Sequence, residues 1–133
     1  MRTFIVLLLI FINPAFAKDV YFSELVKSPG FKESWSKLVS DHTFGPYDKW
    51  IPRLSGLRSA VKFVSIDGQD LIKDRSCEPH NCQDNSISIL ADPKTYDIWM
   101  AQRTIAFPSR KVGYNFFGNP DDKIRKALLS NFD

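Results

Sequence analysis

Apolar residues recur at helical spacing in the first third of the chain. Residues 21–27 predict a short helix, and Ser28-Pro29 predicts the start of a longer one, with serine at the N-cap and proline at the first helical position. The next apolar residues stand at i, i+4, i+7 and i+8, on one face of that helix: Phe31, Trp35, Leu38 and Val39. Glycine and proline pairs between residues 41 and 57 predict an irregular connection.

The middle of the chain changes to the pattern of β-strands. Residues 61–66 are β-branched and aromatic, and Asp67-Gly68 after them is a strong hairpin signal, which places Leu71-Ile72 on a return strand. Residues 86–89 alternate between serine and isoleucine and end at the turn Asp92-Pro93-Lys94. A further strand is predicted from the alternation of Tyr96, Ile98 and Met100.

The pattern ends with one more strand and a helix. Residues 110–116 predict the strand, and Asn119-Pro120 predicts a capped helix start, followed by two aspartates suited to the positive end of a helix. The apolar face of this helix comprises Ile124, Ala127, Leu128 and Phe132. The whole pattern predicts an α+β fold: an antiparallel sheet of about five strands with amphipathic helices packed on it.

The first 17 residues have the features of a secretory signal peptide. Arg2 precedes an apolar run over residues 4–12, and Ala15-Phe16-Ala17 forms a small-x-small cleavage site. An apolar run of this length is too short to cross a bilayer, which takes about 20 residues. We therefore expect a signal peptide at 1–17, a single periplasmic domain at 18–133, and no membrane attachment after cleavage.

Charge and cysteine content narrow the function classes. The chain has a formal charge of +3, which falls to +2 when Arg2 is removed, so neither this balance nor any basic run predicts nucleic-acid binding. Its two cysteines, Cys77 and Cys82, would enter an oxidising compartment, where a pair normally forms a disulfide.

A bridge between these cysteines closes a six-residue ring, Cys77-Glu78-Pro79-His80-Asn81-Cys82, at the tip of a predicted hairpin. So small a ring adds only about 2 kcal/mol to stability, but it stiffens a protruding loop. Pro79 fixes its own φ and restricts Glu78. A loop with few conformations loses little entropy when it binds, and His80 lies at its apex.

Other interpretations of this loop compete with binding. His80 could be an ordinary exposed histidine, or Cys77, His80 and Cys82 could hold a metal ion, although export and the lack of a second ligand cluster count against metal. The spacing is not the C-x-x-C of redox proteins. An enzyme using His80 or His42 is a further alternative, but no Gly-x-Ser-x-Gly motif is present. We expect no enzymatic activity, no metal and no cofactor.

The loop resembles that of the Ivy family, periplasmic inhibitors of vertebrate lysozyme, whose hallmark is a disulfide-closed Cys-Lys-Pro-His-Asp-Cys. The length, the signal peptide and the strand-loop-strand context also agree. The resemblance implies that the loop enters the active-site cleft of c-type lysozyme, with His80 between the two catalytic carboxylates and Pro79 shaping the loop. It implies Glu78, Pro79, His80 and Asn81 as the lysozyme-binding residues and Cys77–Cys82 as the bridge.

Two residues depart from the family loop. Glu78 replaces lysine and Asn81 replaces aspartate, which makes the loop more negative beside the carboxylates of the target. Lytic transglycosylases of the bacterium itself, which family members have been proposed to control, are an alternative target, and a periplasmic binding protein without lysozyme inhibition is another alternative. Both a monomer and a homodimer are compatible with the family.

Overall fold

The computed structural model describes residues 18–133, and the predicted signal peptide at 1–17 lies outside them. The chain forms four helices and five strands over this range; the five strands and three of the helices follow the predicted order, and one short helix was not predicted. The helices are α1 (Phe22–Leu25), α2 (Pro29–Ser40), α3 (Trp50–Arg53) and α4 (Asp122–Ser130). The strands are β1 (Lys62–Ile66), β2 (Gln69–Cys77), β3 (Asn85–Ala91), β4 (Ile98–Ile105) and β5 (Val112–Phe117).

The five strands form one antiparallel sheet in the order β1-β2-β3-β4-β5. Each strand pairs with the next along the chain, so the sheet is a meander, and the predicted α+β fold is confirmed. Asp67 and Gly68, with φ of 49° and 79°, make the two-residue turn between β1 and β2, as the sequence predicts. None of the helices within residues 18–133 has the length and apolarity needed to span a membrane.

Helices cover both faces of the sheet. One face packs against α1, α2 and α3, and we call it the three-helix face. Its core comprises Phe22, Phe31, Trp35, Leu38, Phe44, Trp50, Ile51, Ile72, Ile87, Ile89, Ala91, Ile98, Met100 and Phe117. The opposite face packs against α4 through a smaller cluster of Leu71, Leu90, Ala101, Ile124, Leu128 and Phe132. The central strand β3 is consequently buried along its whole length.

The serines of β3 have a different environment from the one their alternation suggests. Alternating serine and isoleucine is the usual pattern of a strand with one wet face. Here Ser86 and Ser88 are fully buried. The Nδ2 of Asn131 donates to the Ser88 hydroxyl at 3.0 Å, because the end of α4 closes over this face of the sheet.

Two predictions about the segments that connect the main elements are wrong. The connection over 41–57 contains the short helix α3, whose Trp50 and Ile51 are buried in the core. Tyr96 lies before β4 rather than in it, with φ of 64°. Its ring packs edge-on against Phe31, with centroids 5.0 Å apart, and a Cβ on Gly30 would lie 2.6 Å from that ring. Packing against α2 therefore overrides the strand periodicity.

The caps of the two longer helices also differ from prediction. Ser28 does occupy the N-cap of α2, but its hydroxyl donates to the Leu25 carbonyl instead of capping. For α4 the predicted cap, Asn119, is wrong: Asn119 stands outside the helix with φ of 52°. Asp121 is the N-cap, and its carboxylate accepts from the Ile124 N–H at 2.9 Å.

Asp74 is a half-buried carboxyl group on β2. Burial raises the pKa of Asp74 to about 6, although hydrogen bonds from the Arg75 backbone and the Ser59 hydroxyl oppose that rise. A group whose pKa is raised by folding stabilises the native state below its unfolded pKa, and this contribution is lost as the pH rises through the folded pKa. Between about pH 4 and pH 6, Asp74 therefore comes to oppose folding.

We expect Asp74→Asn to increase the free energy of unfolding at pH 7.5 by about 1–2 kcal/mol, allowing for the solvent that still reaches the carboxylate, and to have little effect at pH 4. Asparagine keeps an oxygen that can accept from Ser59. Urea unfolding at both pH values measures the difference, with Asp70→Asn, an exposed residue on the same strand, as the control. Equal stability of Asp74→Asn and wild type at pH 7.5 would contradict the assignment.

Candidate functional site

The loop between β2 and β3 projects from one end of the sheet and contains all of the predicted site residues. Cys77 is the last residue of β2, and its bridge to Cys82 joins Cα atoms 4.7 Å apart, so the predicted disulfide is present. Pro79, His80 and Asn81 are exposed, whereas Glu78 is half-buried. With both sulfurs in the bridge, neither is a thiolate that could bind a metal ion. Residues 18–133 contain no cluster of three or more His, Cys, Asp or Glu side chains suited to a metal.

A tight turn sets the position of His80. The Asn81 N–H donates to the Glu78 carbonyl at 3.0 Å, which closes a four-residue turn with Pro79 at its second position. His80 follows at the third position with φ of 66°. This is the φ pattern of a type II turn, whose third position normally takes glycine or asparagine. The left-handed backbone of His80 is therefore strained, at the exposed apex of the loop. Backbone strain of this kind is concentrated at functional sites.

The imidazole of His80 makes no hydrogen bond to any other described residue. Both ring nitrogens are therefore available to a partner. Neighbouring side chains, in contrast, are engaged within the loop. The Asn81 amide donates to the Glu78 carboxylate at 2.8 Å, and the Asn85 amide donates to the same oxygen at 3.3 Å. The carboxylate of Glu78 thus turns toward the base of the loop.

The two departures from the family loop are therefore physically coupled. Glu78 and Asn81 are hydrogen-bonded to each other, so the residue at one position constrains the residue at the other. An aspartate at 81 would place a second carboxylate against Glu78, and asparagine instead supplies a donor.

A buried polar network supports the base of the loop from the three-helix face. The carboxylate of Asp48, from the connection between α2 and α3, accepts from the amides of Asn85 at 2.9 Å and Gln102 at 3.1 Å. Gln102 also donates to the Asn85 side-chain oxygen at 3.0 Å. Asn85 and Gln102 are both buried. This closed network fixes the first residue of β3, where the loop ends.

Further contacts hold each stem of the loop. On the β2 side, the Leu57 N–H donates to the Cys77 carbonyl at 3.0 Å, and the Ser76 hydroxyl donates to the Leu57 carbonyl at 2.8 Å. Gly56 lies so close that a Cβ there would be 2.6 Å from the Cys77 carbonyl oxygen. On the β3 side, the Asp84 carbonyl accepts from the Ile105 N–H at 2.9 Å.

An ion pair adds to the β3 side. The carboxylate of Asp84 contacts the Arg110 guanidinium at 3.1 Å, which ties the loop to the turn between β4 and β5. The pair is largely solvent-exposed, so its contribution to stability is small. Its effect is to restrict where the two neighbouring turns can move.

Sequence reasoning missed these supporting residues, although one signal was available. Asn85 shares its strand parity with Ile87 and Ile89, and Gln102 shares its parity with Ile98 and Met100. A polar residue at a core-facing position needs a buried partner. Asp48, Gly56 and Arg110 carry no such signal, because the chain brings them to the loop only through the fold.

The other histidine lies apart from this loop. The His42 ring packs edge-on against Phe117, with centroids 4.5 Å apart. Phe117 pairs with Met100, midway along the sheet. The structure therefore does not bring His42 and His80 together into one site.

We expect Asp48→Ala to lower the free energy of unfolding by about 1–3 kcal/mol, because one N–H of each buried amide, Asn85 and Gln102, loses its acceptor. Asp48→Asn keeps an acceptor oxygen and should lose much less. Urea unfolding measures both. Amide hydrogen exchange at residues 78–85 should be faster in Asp48→Ala than in Asp48→Asn. Similar losses in the two variants would show that the network does not anchor the loop.

Comparison with known proteins identifies a family and two related sequences that resemble this chain. The family model described as inhibitor of vertebrate lysozyme (Ivy) matches residues 30–128. An inhibitor of vertebrate lysozyme from Pseudomonas aeruginosa is 25% identical over 118 residues, which are 83% of this chain and 76% of that protein. An uncharacterised protein from Yersinia pestis is 22% identical over 118 residues, 84% of this chain and 75% of its own length.

The matched segment includes all but the first residue of α2, the entire sheet with its disulfide-closed loop, and most of α4. It covers well over half of the chain, and the relatives align over most of their own length as well. The chain therefore belongs to the Ivy family of inhibitors of vertebrate lysozyme.

Proposed function

We propose that this protein inhibits c-type lysozyme by inserting the loop Cys77–Cys82 into the active-site cleft, with His80 between the two catalytic carboxylates. Membership of the family and the named relative support lysozyme inhibition in general. The observation that carries the finer proposal is the exposed imidazole of His80, which has no partner among residues 18–133 and stands on a turn anchored at both stems.

The chemistry of such a target fits an imidazole. A retaining glycosidase holds its two carboxyl groups about 5–5.5 Å apart. A protonated imidazole donates from both nitrogens and can give one hydrogen bond to each carboxylate. The loop contains no glycosidic bond, so the enzyme hydrolyses nothing in it. The protein inhibits by occupying the active-site cleft and catalyses no reaction of its own.

The orientation of Glu78 reduces the conflict that its charge suggests. Its carboxylate accepts from Asn81 and Asn85 near the base of the loop, so it is not presented at the apex with His80. A target that admits only the turn Pro79-His80 meets the imidazole first. Glu78 and Asn81 then act mainly by shaping the loop.

The proposal includes export of the protein to the periplasm. Residues 1–17 act as a signal peptide and deliver the domain to the periplasm, where Cys77 and Cys82 oxidise and where a lysozyme that reaches the cell wall would be met.

We expect His80→Asn to raise the Kd for a vertebrate c-type lysozyme by about 100-fold, because two charge-assisted hydrogen bonds are lost. Asparagine tolerates a left-handed backbone, so the turn should persist and the melting temperature should not fall. Calorimetric titration and a cell-wall lysis assay measure affinity and inhibition. If His80→Asn binds like wild type, His80 is not the inhibitory residue.

The pH dependence gives an independent check of the role of His80. Only a protonated imidazole can donate to both carboxylates, so the affinity should be higher at about pH 5 than at about pH 8. It should fall again below about pH 4, where the carboxylates of the target are protonated. His80→Asn should lack the decrease between pH 5 and 8. Superimposable profiles would contradict donation by His80.

We expect the double substitution Cys77→Ser, Cys82→Ser to weaken inhibition by at least about tenfold while lowering the free energy of unfolding by only about 2 kcal/mol. The stems keep their contacts to Asp48 and Leu57, so the fold does not depend on the bridge. Lysis inhibition and urea unfolding are measured on the same samples. A variant that unfolds easily, yet inhibits normally while folded, would make the bridge structural only.

A further inference from the structure

The turn between β4 and β5 lies at the same end of the sheet as the His80 loop. Asn85 pairs with Thr104, and Ile105 pairs with Val112, so the turn over residues 106–111 emerges immediately beside the C-terminal stem of that loop. Two direct contacts connect them: the Asp84 carbonyl accepts from the Ile105 N–H, and the Asp84 carboxylate pairs with Arg110.

This turn presents an aromatic ring to solvent. Phe107 is 88% exposed, more than any other large apolar side chain in residues 18–133. The ring contributes almost nothing to the core, and burying a phenylalanine side chain is among the larger single gains available to an interface.

The backbone that carries Phe107 is constrained. The Ala106 N–H donates to the Lys111 carbonyl at 2.9 Å, and the Arg110 N–H donates to the Ala106 carbonyl at 2.8 Å, so the turn is closed by two hydrogen bonds. A fixed turn loses little entropy on binding. Aromatic residues, phenylalanine among them, are enriched in protein–protein interfaces relative to the rest of the protein surface.

Resting on the proposed function, we infer that Phe107 is a second anchor for the same target: when the His80 loop occupies the cleft of a lysozyme, Phe107 packs against apolar surface on the rim of that cleft. Lysozyme is the expected partner of Phe107 because the Asp84 contacts hold the Phe107 turn beside the His80 loop. A protein that binds the loop therefore lies next to the ring. The loop then supplies polar recognition of the carboxylates, and Phe107 supplies apolar contact area outside the cleft.

The test compares wild type with Phe107→Ala, Phe107→Trp, Phe63→Ala and His80→Asn in calorimetric titration against a c-type lysozyme. Phe63 is the matched control, because it is 76% exposed but lies on β1, the edge strand farthest from β5. Phe107→Ala should raise the Kd at least about tenfold with an unchanged melting temperature. Phe107→Trp should keep most of the wild-type affinity, and Phe63→Ala should have the wild-type Kd.

Wild-type affinity in Phe107→Ala, together with loss in His80→Asn, would overturn the second anchor and leave the proposed function standing. Equal losses in Phe107→Ala and Phe63→Ala would also overturn it. Sedimentation of the free proteins distinguishes another occupant: a dimer that dissociates in Phe107→Ala, with lysozyme affinity unchanged, would assign the ring to a second copy of this chain. A wild-type protein that binds no lysozyme would overturn both proposals.

Discussion

The pairing of β2 with β3 is the constraint on which the rest of the structure depends. This hairpin contains the central strand, which is covered by helices on both faces, and it also carries the exposed loop. A slip of one residue would exchange the two faces of β3 and bring Ser86 and Ser88 to the three-helix face in place of Ile87 and Ile89. The core therefore fixes the register, and the register fixes where the loop begins and ends.

The loop itself takes little from the core and is held by polar contacts. Hydrogen bonds from the chain around Leu57 hold its β2 stem, and Asp48 and Ile105 hold its β3 stem through Asn85 and Asp84. These contacts lie on both sides of the disulfide, so the bridge closes a loop whose ends are already placed. Such an arrangement places the strain of the left-handed His80 in a turn that the surrounding structure over-determines.

Under the proposed function, rigidity matters because a loop that is already ordered before it enters a cleft avoids most of the entropy cost of ordering. The position of Glu78 illustrates the same physics. A glutamate free at the apex would bring negative charge to a site that holds carboxylates, whereas a glutamate bonded to Asn81 and Asn85 stays near the base of the loop. The same two bonds that place the charge also brace the turn.

The sequence by itself determined the elements with strong local signals. Helical spacing after Pro29, the Asp67-Gly68 turn, and two cysteines flanking a proline and a histidine all depend on residues close together in the chain, and local chemistry decides them. The tertiary structure alone decided what lies around the loop. Asp48 and Arg110 contact the β3 stem of the loop from segments distant in sequence. Tyr96 lies outside the strand predicted for it, because its ring packs on α2. Long-range packing and buried hydrogen bonding outweigh local periodicity at those positions, so no pattern along the chain encodes them.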